Sequence, residues 1–198
     1  MDRFVALYRG INITGRNLVR MEVLRALHEG LGHRSVVTYI QSGNVLFSAR
    51  GTAPRLARAI ADRFANQLGF SPRVMVVPAE RWAAIVRANP FAEFSAKDHK
   101  RVHACVCEGE PSEAGLSALL KRTGGTERFC VKEGVIYLHT PDGFGASKFA
   151  GAMEKACGVP ITARNWRTVE TLLRMIEDGG AREEPVRAKR GAAGRARA

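Results

Sequence analysis

Two short polar turns near the start of the chain carry side chains that could hold a ligand. They read Arg9-Gly10-Ile11-Asn12 and Gln41-Ser42-Gly43-Asn44, and the candidate ligand-binding residues among them are Arg9, Gly10, Asn12, Gln41, Ser42, Gly43 and Asn44. An arginine guanidinium presents a rigid fork of N–H donors that matches a carboxylate or a phosphate, and glycine lets backbone N–H groups approach a ligand closely. The two turns therefore indicate recognition of a small anion, although Asn12, Ser42 and Asn44 would serve equally well to satisfy the loop backbone.

A second set of polar residues lies in the last third of the chain, where two polar segments come before apolar helical patterns. The segments are GFGASK at 143–148 and TARN at 162–165, and the candidates there are Ser147, Lys148, Arg164 and Asn165. The start of a helix presents unpaired N–H groups and the positive end of the helix dipole. Two helix starts beside a lysine and an arginine would suit an anion, whereas Ser147 and Thr162 would also be ordinary N-caps.

The motifs that define common nucleotide, metal and catalytic sites are missing from the sequence. It contains no GxxxxGK[ST], no GxGxxG after a strand, no G-x-S-x-G and no H-E-x-x-H. His103, Cys105 and Cys107 alternate along one predicted strand, but cysteines on such a strand act as small hydrophobic residues. The remaining histidines are isolated in the sequence and are predicted to lie at the surface or at an edge: His28, His33, His99 and His139. We therefore predict no metal and no cofactor, and the sequence specifies no reaction.

Hydrophobic periodicity and turn residues predict the elements that position the first set. The first half reads as a strand at 4–8, a helix at 21–31, strands at 36–40 and 45–47, a helix capped by Thr52 that runs to 68, and a strand at 73–77. The second half reads as a helix at 78–88, a polar stretch at 89–100, a strand at 102–106, a helix around 116–120, strands at 128–131 and 135–139, a helix at 147–157, a strand at 159–161 and a helix at 162–177. The order β-α-β-β-α-β thus occurs twice.

This order predicts an α+β fold made of two consecutive ferredoxin-like (βαββαβ) α/β plaits plus a C-terminal helix. The predicted domains are the first plait at 1–78, a linking helix and loop at 79–100, the second plait with the last helix at 101–178, and a disordered basic tail at 179–198. A single mixed sheet interrupted by a hairpin would also fit these elements, but less economically.

A plait would bring the first set of candidates together. Its first strand is central and its third strand runs antiparallel beside it, so Arg9 should lie near Asn44, and Arg73 should reach the same edge. The second set is expected at the opposite edge of the second sheet. Trp166 begins an apolar stripe, so we expect it to be buried and structural.

The charge of the chain raises the alternative of a nucleic-acid partner. The formal net charge is +12, and residues 179–198 hold six Lys/Arg and two Glu and so contribute +4 of it. A tail of Gly, Ala and Arg buries too little surface to fold, so nucleic acid would bind through the tail alone. The first plait lacks the aromatic run of RNA-recognition strands.

Composition also indicates the cellular compartment of the protein. No apolar run approaches the roughly 20 residues that cross a bilayer, so no membrane association is predicted. The first residues do not resemble a secretory signal. Four cysteines without such a signal indicate free thiols in the cytoplasm.

Four separated motifs give the chain a resemblance to a known family. They are LYRGINITGRN, MEVLRALHEGLG, TYIQSGNVLF and TARNWRTVETL, and the family pattern also covers Ser147 and Lys148. In this order they make the chain resemble the bacterial family of proteins of unknown function numbered 1697, to about Glu177. The resemblance implies two consecutive α/β-plait subdomains and no established activity, cofactor or partner. Where relatives have a second glycine in the first loop, this chain has Thr14 beside Gly15.

Three hypotheses for function follow. The leading one is a binding protein, or an enzyme of unspecified reaction, for a small phosphate- or carboxylate-bearing ligand. The second is a nucleic-acid-associated protein that uses its basic surface and tail. The third is a structural or interaction module in which the motif residues hold the two plaits together. The sequence does not specify the ligand or the oligomeric state.

Overall fold

The structure is a computed structural model that describes residues 1–12 and 17–179. The first half consists of β1 (Asp2–Arg9), α1 (Met21–Gly30), β2 (Arg34–Tyr39), β3 (Asn44–Ala49), α2 (Ala53–Leu68) and β4 (Arg73–Pro78). Two helices follow, α3 (Ala79–Arg87) and α4 (Ala92–Lys97). The second half consists of β5 (Val102–Cys107), α5 (Glu113–Thr123), β6 (Arg128–Lys132), β7 (Val135–His139), α6 (Lys148–Cys157), β8 (Ile161–Asn165) and α7 (Trp166–Glu177).

The strands form two four-stranded sheets in which every described pairing is antiparallel. Their orders are β2-β3-β1-β4 and β6-β7-β5-β8. The α+β class predicted from the sequence is therefore confirmed. The predicted antiparallel pairing of the first and third strands is confirmed as well, with Leu7 opposite Asn44 across β1 and β3, and Arg73 lies opposite Arg9 across β1 and β4.

Each sheet packs a pair of helices against its outer face. Helices α1 and α2 cover the first sheet through residues such as Leu24, Ile60 and Phe64. Helices α5 and α6 cover the second sheet through residues such as Leu116 and Phe149. These helices are amphipathic at a period of 3.6 residues, which is why one stripe of each is buried.

The inner faces of both sheets share one core with α3 and α7. Val5 and Leu7 of β1 belong to the same buried cluster as Val102 and Ala104 of β5. Between them, the Trp82 indole N–H of α3 donates to the carbonyl oxygen of Val169 in α7, at 3.1 Å. The two halves are therefore joined by a continuous apolar layer.

The start of the last helix differs from the sequence prediction. The helix predicted at 162–177 begins at Trp166, and residues 162–165 belong to β8, which pairs with β5 from Ile161↔Cys107 to Asn165↔His103. Five backbone pairings to a central strand outweigh a local helical pattern, since helix propensities differ by only a few tenths of a kcal/mol per residue. The strand predicted at 159–161 is likewise placed too early.

Other differences are local. A short helix, α4, lies within the polar stretch that was predicted at 89–100. Thr52 occupies the N-cap position of α2 without a capping hydrogen bond from its side chain. Thr14, Gly15 and the predicted basic tail beyond Gly179 lie outside the described residues. Within the described part of the chain, no helix is both long and apolar enough to cross a bilayer.

Candidate functional site

Arg164 of β8 connects the two groups of candidate residues that the sequence placed at separate edges. Its Nε donates to Asn44 Oδ1 at 2.5 Å. Its Nη2 donates to the carbonyl oxygens of Tyr8 at 2.8 Å, Ser42 at 3.2 Å and Gly43 at 3.3 Å. The arginine thus ties the edge strand of the second sheet to the end of β1 and to the turn between β2 and β3.

The register of β8 explains why this side chain can reach the first sheet. Arg164 pairs with Ala104, which is buried in the shared inner core. Side chains that are opposite each other in a sheet lie on the same face. Arg164 therefore leaves β8 on the inner side, toward the first half of the molecule.

The guanidinium of Arg164 has no carboxylate partner among the described residues. Besides the acceptors above, Nη1 donates to the carbonyl oxygen of Ala163 at 2.9 Å, so every acceptor is a carbonyl or an amide oxygen. Burial lowers the pKa of Arg164 to about 10, which still leaves it charged at neutral pH. A partly buried positive charge with one N–H of Nη1 left over is the main electrostatic feature of the site.

Asn44 and Gly43 hold the turn in the shape that Arg164 needs. Asn44 is fully buried, and its Nδ2 donates to the carbonyl oxygen of Tyr39 at 3.0 Å and to Ser42 Oγ at 3.1 Å. Gly43 has a φ of +74°, and a Cβ there would lie 2.7 Å from Tyr8 Cβ. Gly43 and Asn44 are therefore buried residues that hold the turn around Arg164.

Asn12 organises the loop after β1 in a similar way. Its Nδ2 donates to the carbonyl oxygens of Val19 at 2.9 Å and Gln41 at 2.8 Å, and its Oδ1 accepts from Val19 N at 2.7 Å. The carbonyl oxygen of Gly10 accepts from Asn17 Nδ2 at 2.8 Å. The side-chain amide of Asn12 therefore satisfies the loop backbone, which is the structural role that the sequence analysis gave as the alternative to ligand binding.

Arg9 contributes a second positive charge beside Arg164. It forms an ion pair with Glu154 of α6, and about two fifths of each side chain is exposed. Burial alone would raise the pKa of Glu154, but the hydrogen bond from Ile161 N and the Arg9 guanidinium lower that pKa below its ordinary value. Glu154 is therefore ionised at neutral pH. Because the pair is partly exposed to solvent, Glu154 compensates the positive charge of Arg9 only in part.

These residues surround a cleft of about 660 Å³ between the two halves. Its walls are the end of β1, the turn between β2 and β3, α6 and the edge strand β8, and the candidates that line it are Arg9, Gly10, Asn12, Gln41, Ser42 and Arg164. Thr162 also lines the cleft; it is 2% exposed, and its hydroxyl has no hydrogen-bond partner among the described residues.

The remaining candidates from the second set lie away from this lining. Ser147 Oγ accepts from Ala150 N at 3.0 Å and so caps α6, and it also hydrogen-bonds to the carboxylate of Glu127. Asn165 Oδ1 accepts from Thr168 N at 3.0 Å and caps α7. Lys148 is exposed at the start of α6. The predicted anion site at two helix starts is therefore not assembled as one group, because the segment 162–165 is a strand.

Several residues of the cleft were not among the candidates from the sequence. They include Ile40, Phe144, Glu154 and Thr162 with its hydroxyl. Glu154 reads as an ordinary surface residue of a helix, and it faces Arg9 only because α6 packs beside the end of β1. No local pattern in the sequence records that relation.

A second cleft of about 750 Å³ occupies the equivalent place around the other edge strand, β4. It is lined by α2, by the end of β5 and by the turn between β6 and β7, and its charged residues are Arg81, Glu108, Glu110 and Glu133. Arg81 donates to the carbonyl oxygen of Glu133 at 3.1 Å, and Glu108 is paired with Arg73. The second cleft is therefore lined by equivalent elements, but it does not have the excess of positive charge that the first cleft has.

Two histidines that were expected at the surface are buried in the first half. Tyr8 Oη lies 2.9 Å from His28 Nε2, and His28 Nδ1 lies 3.0 Å from His33 Nδ1. Burial and then the neighbouring His33 lower the pKa of His28 to about 3, and burial lowers the pKa of His33. The expectation of isolated surface histidines is wrong here, because helix α1 brings His28 onto the apolar face of the sheet.

The strand cysteines behave as hydrophobic residues. Cys105 and Cys107 are buried together with Cys157 in the outer core of the second sheet. Burial raises the pKa of both strand thiols, that of Cys107 to about 12. All four cysteines are free. Neither Cys105 nor Cys107 is therefore poised as a nucleophile, since the thiolate is the reactive form.

Comparison with known proteins gives a family and a fold. A family model described as "Protein of unknown function (DUF1697)" matches residues 1–137. The chain is similar to the structure of a conserved bacterial protein from Streptococcus pneumoniae, with a TM-score of 0.66 and 24% identity over 88% of this chain and 98% of that chain. No curated protein matches the chain. At this level of identity the structural likeness extends to the fold alone.

Proposed function

The chain belongs to the DUF1697 family of proteins of unknown function, and from the chemistry of its own cleft we propose that it binds a small ligand carrying a phosphate or a carboxylate. The observation that supports this is the Arg164 guanidinium, which is charged, partly buried and without a carboxylate partner among the described residues. A charge removed from water is costly unless an opposite charge compensates it. An anion in the cleft would supply that compensation.

Arg9 would provide the second contact to the anion. Its ion pair with Glu154 is partly exposed, and such pairs contribute less than about 1 kcal/mol. A ligand anion can therefore compete with Glu154 for this guanidinium at little cost. Arg9 and Arg164 together would then hold one anionic group by charge-assisted hydrogen bonds, which are about twice as strong as neutral ones.

Calorimetric titration with inorganic phosphate and with acetate tests the proposal. Arg9→Ala should weaken anion binding by about tenfold or more, because it removes a charged hydrogen bond. Glu154→Gln should tighten binding by about threefold, because it removes the competing carboxylate while keeping an acceptor for Ile161 N.

The matched control is Arg81→Ala, which removes the same charge from the cleft on the other edge strand. It should leave anion affinity within about twofold of the wild type. If Arg81→Ala and Arg9→Ala weaken binding equally, the binding is a general effect of net charge and the cleft is not the site.

The net charge of +12 favours a second candidate function, binding of nucleic acid through the basic surface and tail. Its affinity should fall steeply with salt, because binding releases counterions from the phosphate backbone. Deleting residues 179–198 should abolish it while leaving phosphate binding unchanged. Retention of nucleic-acid binding by the truncated chain would exclude the tail as the binding element. A purely structural role for the motif residues would leave both titrations without signal.

We further infer that each half is a ferredoxin-like plait, with bounds at 1–78 and 101–178 and a linking segment at 79–100. The strand orders β2-β3-β1-β4 and β6-β7-β5-β8 support this assignment. We place the protein in the cytoplasm, and its four free cysteines support a reducing compartment.

A further inference from the structure

The cleft at Arg164 has an apolar side, and we propose that its ligand is amphipathic: an anionic group at Arg9 and Arg164 joined to an apolar body that covers Ile40 and Phe144. This inference rests on the proposed function and adds the chemical class of the ligand. The first argument is volume. About 660 Å³ falls in the range of sites that enclose an organic molecule, and one phosphate or carboxylate fills only a small part of it.

Ile40 supplies the first apolar surface. It lines the cleft next to Gln41, and 42% of its side chain is exposed. Among the described residues, only two other large hydrophobic side chains, Met1 and Leu18, are exposed to this extent. Its φ is +48°, in the left-handed region that disfavours β-branched side chains most strongly. In the proposed complex, this isoleucine, held in an unfavourable conformation beside the cleft, packs on the apolar body of the ligand.

Phe144 supplies the second apolar surface from the loop before α6. One face of its ring packs on buried His103, with the ring centroids 4.4 Å apart, and the residue lines the same cleft as Ile40. Ile161 of β8 also lines the cleft beside Thr162. The apolar residues thus stand next to the cationic ones within one site.

Thr162 lies on β8 between Ile161 and Arg164. Its buried hydroxyl has no partner among the described residues. Buried hydroxyl groups are satisfied in nearly all native structures, so one without a partner at a cleft points to a ligand or solvent atom there. A polar atom of the ligand at the junction between its anionic and apolar parts would satisfy this hydroxyl.

The test compares inorganic phosphate with phenyl phosphate at about pH 8, where both are mainly dianions, so that they differ by one phenyl ring. Phenyl phosphate should bind at least about tenfold more tightly in calorimetric titrations, because its ring leaves water for the apolar side of the cleft. Ile40→Asn should remove most of that advantage. The quantity compared is the ratio of the two affinities, because asparagine tolerates a positive φ and no cation is changed.

Two further variants complete the design. Phe144→Ala should likewise remove most of the advantage of phenyl phosphate over inorganic phosphate. Leu18→Asn is the matched control, because Leu18 is 75% exposed and is not part of the cleft lining. It should change neither affinity.

The outcomes separate the two proposals. Equal affinities for phosphate and phenyl phosphate, or an advantage of phenyl phosphate that survives both Ile40→Asn and Phe144→Ala, would overturn the amphipathic ligand while anion binding stands. Absence of binding by both compounds would overturn anion binding and the amphipathic ligand with it.

Discussion

Arg164 is a structural residue, and in the proposed function it is a recognition residue as well. Its guanidinium binds oxygen atoms of Tyr8, Ser42, Gly43 and Asn44, which belong to the other half of the chain. Those bonds fix its position before any ligand arrives, and a fixed charge need not be reorganised on binding. The same bonds leave its positive charge without a counter-charge. Rigidity and charge at one position are what a binding site for an anion requires.

At the residue scale, the buried pair of His28 and His33 predicts how stability depends on pH. The pKa of His28 is about 3 in the folded protein and 6.5 in an exposed histidine. The unfolded chain therefore binds more protons between these values, and stability falls as the pH decreases from about 6.5 toward 3. At about pH 4.5, His28 alone should account for roughly 3 kcal/mol of lost stability relative to pH 7.5.

Urea unfolding at the two pH values measures this loss. His28→Gln should lower the difference in stability between the two pH values by about 3 kcal/mol, whatever its effect at pH 7.5. An unchanged difference in His28→Gln would show that His28 is not the group that titrates.

At the scale of elements, the turn between β2 and β3 is the most constrained part of the site. Gly43 and Gly69 have nearly the same φ, +74° and +76°. A Cβ at Gly69 would meet nothing within 4 Å, whereas one at Gly43 would lie 2.6 Å from Ile11 Cδ1 and 2.7 Å from Tyr8 Cβ. Backbone conformation and steric contact can therefore be separated by two single substitutions.

Gly69→Ala should destabilise the protein by about 1 kcal/mol, the cost of a side chain in the left-handed region. Gly43→Ala should cost at least about 2 kcal/mol more, because Tyr8 and Ile11 must move. It should also weaken phosphate binding, since the carbonyl oxygens of the turn position Arg164. Chemical denaturation of both variants measures the difference, and equal losses of stability would contradict the predicted contact.

The pairing of β1 with β3 was predictable because it follows from local signals. An apolar run ends at Arg9-Gly10, and a turn with glycine and asparagine precedes the next run, so the element order fixes which ends meet. The course of 162–165 was not predictable in this way. Thr162 and Arg164 fit a helix start as well as a strand, and the choice depends on β5, which lies far away in the sequence. The contact of Arg164 with Asn44 follows from that choice.

At the scale of the whole molecule, the shared inner core makes the two halves one cooperative unit. Trp166 is 2% exposed and lies in this core with Tyr137 and Val169, which confirms the burial expected from the sequence. Trp82 of α3 belongs to the same core and to the layer between the sheets. Loss of packing in this layer should therefore weaken both halves together.

Trp166→Ala should lower the free energy of unfolding by about 3–5 kcal/mol, because it leaves a large cavity. Unfolding followed by circular dichroism and by the fluorescence of the remaining Trp82 should still give one coincident transition. Leu173→Ala on the same helix is the control, with a smaller loss, since Leu173 is only partly buried. Two separate transitions in the wild type would show that the halves unfold independently.

The hydrogen bonds between Arg164 and the first half of the chain also determine when the cleft can form during synthesis. The whole of β1 to β4 emerges before β8 is synthesised, yet Asn44 is hydrogen-bonded to an arginine that lies 120 residues further along the chain. At synthesis rates of about 5–20 residues per second, that arginine is added roughly ten seconds later. Until then the turn at Ser42–Asn44 has no cation and the cleft has no second wall. The proposed ligand binding is therefore acquired at the end of synthesis, and a nascent chain cannot compete with finished molecules for the proposed ligand.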